Sequence, residues 1–267
     1  MSAQWMTSGR EATKAFGAAL VSFGLLLIIW HLGVTLAGTP AHVLPGPGPV
    51  LAGLYQGWIG GTLHSHIAFT LKATALGVLI GCGLALVLSV VAAELPIVER
   101  TLYPLVVTSQ SIPIVAVGPL IIVYAGYGIE SKVLLVALFC FFPTFVNSLA
   151  GLKIADENLV DLYRAFSASR WQIFWNVKLP GAANYIFSGL QISIVLSLIA
   201  CVVAEFLASP RGLGHFIKSQ AGTLEISMMF AAIITLAVLG TLAGFAVRLL
   251  QRLVVFWDRP TSHSQPG

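Results

Sequence analysis

Six stretches of this chain contain no Asp, Glu, Lys or Arg: residues 15–71, 73–93, 101–129, 133–152, 179–204 and 226–247. A charge at the centre of a bilayer costs about 2.5–3.5 kcal/mol on insertion scales, and a helix needs about 20 apolar residues to cross one. Runs of this length decide which solvent the chain folds in before they decide any element. Only 9% of the 267 residues are charged, where a soluble domain carries roughly a quarter. An ordinary water-facing surface is excluded, and the chain reads as an integral membrane protein.

The first run supplies one helix, because Pro40, Pro45, Pro47, Pro49 and several glycines follow it and interrupt a second. Each remaining run supplies one, so six helices are predicted, at about 16–37, 67–91, 102–125, 132–151, 183–207 and 227–250. The fold class is an all-α membrane protein, with a transmembrane domain over 16–255 between tails at 1–15 and 256–267. Arg10 and Lys14 precede the first span as they would a secretory signal. Its apolar stretch exceeds the roughly 7–15 residues of a signal core, so it is read as an uncleaved helix. An even number of spans puts both termini on one side of the membrane. With the termini inside, ten Lys and Arg fall in inner segments and three, Lys132, Arg211 and Lys218, in outer ones. The positive-inside rule therefore makes both termini cytoplasmic. The net charge of +4 reflects that orientation and anionic headgroups, and calls for no nucleic acid.

Cys82, Cys140 and Cys201 stand alone in three different spans, where thiols act as small apolar fillers, so neither a disulfide framework nor a metal cluster is expected. His64 and His66 are one residue apart on an outer loop without further ligands nearby, and metal is not expected there either. The informative loop is 152–180, the longest inner one, with seven of the chain's 24 charges. A loop this long in a compact membrane domain is usually functional. Asp156 is placed to cap a helix running to about Phe166, and Leu159, Leu162, Tyr163 and Phe166 recur at spacings of three and four on one face. Ser167, Ala168 and Ser169 interrupt, and a second stretch from Arg170 to Leu179 carries Trp171, Phe174 and Trp175 before Pro180 ends it. Such a pair is either an interfacial anchor or a knob whose apolar face enters a groove on a cytoplasmic partner.

Asp161-Leu162-Tyr163, then Ser167, then Val177-Lys178-Leu179-Pro180 match the spacing of a signature of Glu-Ala-Ala, three residues, Gly, nine residues and Ile-x-Leu-Pro. That signature belongs to the permeases of binding-protein-dependent ABC importers. Leu44-Pro45-Gly46-Pro47, Ile112-Pro113, Phe142-Pro143, Ala168-Ser169-Arg170-Trp171, Val203-Ala204-Glu205 and Gly212-Leu213-Gly214 follow in order. Over about residues 40 to 255 the chain resembles the nitrate/sulfonate/taurine/bicarbonate class of these permeases. Ser167 departs from the motif Gly at a turn where positive φ is cheap only for Gly, so the turn is either ordinary here or strained.

The resemblance implies a type I importer permease, in the plasma (inner) membrane of a bacterium, that is itself no enzyme. A coupling segment built on Leu159, Asp161, Leu162, Tyr163, Arg164, Phe166, Ser167, Ala168, Ser169, Arg170, Leu179 and Pro180 would dock on a separate ATPase. Two permease copies, most simply a homodimer, would work with two ATPase subunits that hold ATP and Mg, and with a periplasmic or extracellular solute-binding protein. No cofactor is expected on this chain, which lacks the Gly-x4-Gly-Lys-Ser/Thr needed to wrap phosphates.

The third span holds Pro104, Pro113 and Pro119 beside Ser109, Gln110 and Ser111. Broken helices are tolerated where protein or a water-filled cavity satisfies the freed backbone, which makes this span the first candidate for the translocation path. Gln191, Ser193 and Ser197 in the fifth span are further candidates, since they suit either a path or interhelical glue. Glu205 is expected to pair with Arg211 at the outer mouth, and Lys72 either snorkels outward or faces the cavity. Rival classes fare worse. Gly-x-Ser-x-Gly and His-Glu-x-x-His are both absent, as is any pair of membrane-centre carboxylates for aspartyl chemistry or proton relay. A secondary transporter or channel acting without ATP remains the alternative, but it would leave the 152–180 loop without a task.

Overall fold

The computed structural model describes residues 2–154 and 157–257, with side chains except at 2–16, 19, 20 and 114. Its elements are α1 (Ser2–Leu36), α2 (Pro47–Ile59), α3 (His64–Glu94), α4 (Pro96–Ser109), α5 (Ile114–Ala125), α6 (Ile129–Lys153), α7 (Glu157–Ala165), α8 (Arg170–Ile173), α9 (Leu179–Ala208), α10 (Leu213–Gly222) and α11 (Ile226–Val254). Among the described residues, four helices are long and apolar enough to cross a membrane: His64–Glu94, Ile129–Lys153, the continuous run Arg170–Ala208 and Ile226–Val254. Val21–Leu36 and Val115–Ala125 are shorter apolar helices.

Four features differ from the sequence reading. The first helix begins at Ser2 rather than near 16, since 2–15 contain no proline to stop it. The proline-rich stretch after the first span does not exclude a helix, because α2 starts at Pro47. At the first helical position Pro loses only an N–H that would be unpaired anyway, and its φ is already helical. The third span, expected as one proline-broken helix over 102–125, is two separate helices, α4 and α5, parted at residues 110–113. Lastly, Pro180 does not end the second loop helix. A π turn at Phe174–Lys178 joins α8 to α9, and the Leu179 N–H reaches back five residues to the Phe174 carbonyl. The wider turn shifts the hydrogen-bond register just ahead of the residue that has no N–H to give.

Two compact units are distinguished, Met1–His64 with Ile217–Ile233, and Ser65–Phe216 with Ile234–Gly267. In the first, Trp30 of α1 stacks on Phe230 of α11 with ring centroids 5.9 Å apart. Leu63 is fully buried and its N–H donates to the Gly57 carbonyl at 3.0 Å, closing the turn between α2 and α3.

In the second unit α6 and α9 pack along their length, and α3 joins them. Beyond Ile67 near its start, the buried face of α3 is Thr70, Ala73, Thr74, Gly77, Gly81, Cys82, Ala85, Ser89 and Ala92, whereas Leu71, Leu79, Ile80, Leu84 and Val87 are exposed. Small residues turn inward and large apolar ones outward, the inverse of a soluble helix. In lipid there is no hydrophobic gain from helix contact, so close backbone approach does the work. At Gly81 a Cβ would lie 2.2 Å from the Ala137 carbonyl oxygen of α6. Aromatic packing of Phe142 and Phe145 with Val106 and Ala85 brings α4 against α3 and α6. Two ion pairs close the α7 end of this bundle, Lys178–Glu94 and Lys153–Glu99, each at 2.5 Å. They tie the foot of α9 to α3 and the foot of α6 to α4.

Candidate coupling surface and translocation segment

The 152–180 loop folds as two helices set by local capping. α7 ends in a Schellman arrangement, in which Ala168 N–H donates to Tyr163 O (3.0 Å) and Ser167 N–H to Arg164 O (2.9 Å). Ser167 has φ +58°, so of the two alternatives left by the sequence the strained turn is the one realised. α8 opens with a capping box: the Ser169 hydroxyl accepts from Gln172 N–H (3.3 Å), and Gln172 Oε1 accepts from Ser169 N–H (2.8 Å). Asp156, expected as the cap of α7, lies outside the described residues. Val160 of α7 meets Ile173 and Val177, with Tyr163 and Ala168 packed at the edge. This small core fixes the angle between the two helices.

Three apolar side chains remain outward on α7 and its end. Leu159, Leu162 and Phe166 are 45%, 50% and 79% exposed. Leu162, Phe166, Ser167 and Ala168 line a groove of about 430 Å³ together with Gln172 and Asn176. Asp161 and Arg164 are exposed and paired with each other at 3.1 Å, and Arg170 is exposed at the start of α8. Leu179 and Pro180 sit half-buried at the start of α9, with Leu179 against the Leu152–Phe174–Ala182 cluster. The structure thus brings the predicted coupling residues from Leu159 to Arg170 onto one knob, Tyr163 and Ala168 turned partly inward, and leaves Leu179 and Pro180 at the foot of α9. Val160, its internal anchor, escaped the sequence reading because the 3–4 spacing highlighted the opposite face.

The pathway candidates divide. Gln110 and Ser111 are exposed in the break between α4 and α5, and the Ser109 hydroxyl bonds back to the Leu105 carbonyl at 2.7 Å. Ser193 and Ser197 are fully buried. The Ser193 hydroxyl donates to the Cys140 carbonyl (2.9 Å) and bonds the Thr144 hydroxyl (2.7 Å), while Ser197 bonds back to Ile194 O. These bonds lie within α9 and between α6 and α9. Gln191 Nε2 donates to Gln251 Oε1 (2.7 Å), joining α9 to α11. Lys72 is exposed.

The expected Glu205–Arg211 pair is not among the ion pairs of the described residues. Glu205 is 1% exposed and accepts from the Thr70 hydroxyl (2.8 Å) and the Gly214 N–H (2.7 Å), whereas Arg211 is exposed. The backbone turn at Gly212 brings the Gly214 N–H to the carboxylate, while the Arg211 side chain points to the exterior. Lys132, in the first turn of α6, is fully buried.

Among the described residues, a bundle of apolar helices carries an exposed helical knob between its fourth and fifth apolar segments. The solved MetNI methionine ABC transporter, in inward-facing conformations, shares this fold with a TM-score of 0.58 and 21% identity, over 74% of this chain and 97% of that one. Residues 77–255 match the family model of the binding-protein-dependent transport system inner membrane component. The chain is 36% identical over 238 residues to the riboflavin transport system permease protein RibX of Chloroflexus aurantiacus, covering 89% of each. It is 30% identical over 259 residues to the taurine transport system permease protein TauC of Escherichia coli, covering 95% of this chain and 92% of the relative. The chain belongs to the binding-protein-dependent permeases of ABC importers, and is a multi-pass, non-catalytic inner-membrane subunit.

Proposed function

We propose that residues 16–255 form one permease unit that works as a homodimer with two ATPase subunits, which bind ATP and Mg, and with a solute-binding protein on the outer face. Both termini are cytoplasmic in this reading, so α7 and α8 face the ATPase and the α9–α10 connection faces the binding protein. Leu159, Leu162 and Phe166 enter a groove on the ATPase. Closure of the ATPase pair moves α7, and the ion-paired foot of α3, α4, α6 and α9 carries that motion into the membrane. ATP supplies the shift between inward-open and outward-open states. Gln110 and Ser111 at the α4–α5 break line the path and offer hydrogen bonds to a small polar or anionic solute, a class that includes the riboflavin and taurine named for its relatives.

The observation that carries this reading is the exposed apolar crest of a helix otherwise pinned by capping and by Val160. The experiment is purification of the chain with its genomically encoded partners in mild detergent, as wild type and as Leu162→Asp/Phe166→Asp. The expected result is a stoichiometric ATPase subunit with the wild type and its loss, or hydrolysis uncoupled from transport, with the double variant. Normal transport by that variant would rule the docking role out.

A further inference from the structure

At the end of the bundle remote from α7, two charged side chains are buried together, Lys132 at 0% and Glu205 at 1% exposure. Each faces a helix terminus of opposite sign. Lys132 Nζ donates to the carbonyls of Tyr127 (2.9 Å) and Ala208 and to the Ser131 hydroxyl (3.2 Å). Ala208 is the last residue of α9, where unpaired carbonyls gather negative partial charge. Glu205 accepts from Thr70 O–H and from the N–H of Gly214, the second residue of α10, where unpaired amides gather the positive end. The Thr70 hydroxyl in turn accepts the Leu213 N–H at 2.9 Å. His66 Nδ1 lies 3.0 Å from the Gly212 carbonyl oxygen, a second tie from α3. Gly212 has φ +106°, and a Cβ there would lie 2.2 Å from Glu205 Cδ. Only glycine lets residues 209–214 fold onto the carboxylate.

Buried charges in a membrane protein are costly and are matched when present. Apolar packing, which serves the rest of this interface, would stabilise it as well as a buried ionic site does. Directional bonds add position. Those of Lys132 and Glu205 fix the α5–α6 connection, α3 and the start of α10 to one place on α9. That helix is continuous with α8 from Arg170 to Ala208, 39 residues, or about 58 Å at 1.5 Å per residue. One rod therefore runs from the coupling knob to this clamp.

We infer that Glu205 and Lys132, with Thr70 and Gly212, are positioning residues of the transport cycle: they lock residues 209–214 and the start of α10 to α9, so that docking of the solute-binding protein there reaches the ATPase-coupling end. The inference rests on the importer reading and names the residues through which the outer partner is felt.

The test is ATP hydrolysis by the intact complex in nanodiscs, with and without the binding protein encoded beside it, loaded with the solute it retains on purification. Thr70→Val keeps the volume of the side chain and loses the hydroxyl; Thr70→Ser keeps the hydroxyl and loses the methyl. Glu205→Gln places an NH2 group where an acceptor is needed, and Gly212→Ala obstructs the turn. Thr70→Val and Glu205→Gln are expected to retain the ATPase subunit and basal hydrolysis, and Gly212→Ala the ATPase subunit. Their stimulation by the binding protein falls about five-fold or more, the span of ordinary coupling free energies. Thr70→Ser restores it. Full stimulation in Thr70→Val and Glu205→Gln overturns the inference. So does a parallel fall of basal and stimulated rates, or a Thr70→Ser variant as impaired as Thr70→Val, because each marks a merely structural role. A wild-type complex that ignores its binding protein would overturn the importer reading itself.

Discussion

Replacing Ser167 by Gly should tighten the coupling knob. Ser167 sits at φ +58°, where an L side chain costs about 1–2 kcal/mol from the approach of Cβ to the backbone. The two bonds that close the turn, Ser167 N–H to Arg164 O and Ala168 N–H to Tyr163 O, use only main chain, so Gly keeps them both. Against this, Gly gains freedom when the turn opens, worth about 0.5–1 kcal/mol. The net stabilisation is about 0.5–1 kcal/mol, which lowers the open population about two- to five-fold. Amide hydrogen exchange of residues 167 and 168 in the detergent-solubilised protein reads that population directly. Ser167→Gly should slow exchange by this factor, and Ser167→Ala should leave it near wild type. Ser167→Pro fixes φ near −65° and removes the N–H, so it should abolish the protection. Exchange that is unchanged or faster in Ser167→Gly would refute the strained-turn account.

Helix approach makes a paired prediction: Gly81→Leu collides with Ala137 of α6 and should lose about 1–3 kcal/mol, seen as a lower Tm or lost assembly, while Gly83→Leu, with nothing within 4 Å of its Cβ position, should be tolerated. Water access separates the pathway candidates. In the assembled complex, Gln110→Cys and Ser111→Cys should react with a membrane-impermeant thiol reagent, and Ser193→Cys and Ser197→Cys should not; the native thiols Cys82, Cys140 and Cys201 are all buried and give little background. The Lys178–Glu94 pair is partly exposed, with side chains at 23% and 35%. A double-mutant cycle on its two members should return only about 0.2–1 kcal/mol, smaller still at high salt.

What the sequence disclosed were the features whose cause is local. The spacing of Leu159, Leu162, Tyr163 and Phe166 placed α7 within a residue or two, and the interruption at Ser167–Ser169 placed the start of α8 at Arg170, though not its continuation through Pro180 into α9. The charge-free runs located the spans for the same reason, and the prolines and polar residues near 110 marked the break in the third. The small-residue stripe of α3 was invisible to hydropathy, since Gly, Ala, Ser and Thr carry little signal of their own and large apolar residues face lipid. Ser193 and Ser197 could be read either way until α6 was in place beside them. Glu205 was misjudged because its partner Thr70 is 135 residues distant in sequence, and the bond from Lys132 to Ala208 spans 76. A neighbouring Arg211 looked sufficient only while the fold of residues 209–214 was unknown. Gly212-Leu213-Gly214 was the available signal: two glycines beside a carboxylate indicate a backbone that approaches it closely.

The most direct measurement of the central claim is solute uptake into proteoliposomes that hold this chain with its ATPase subunit, with the loaded binding protein outside and ATP either enclosed or omitted. Uptake that requires enclosed ATP and the binding protein, and that disappears in Leu162→Asp/Phe166→Asp, is the predicted result. Uptake by the chain alone, without ATP, would contradict the account and make it a secondary transporter or channel.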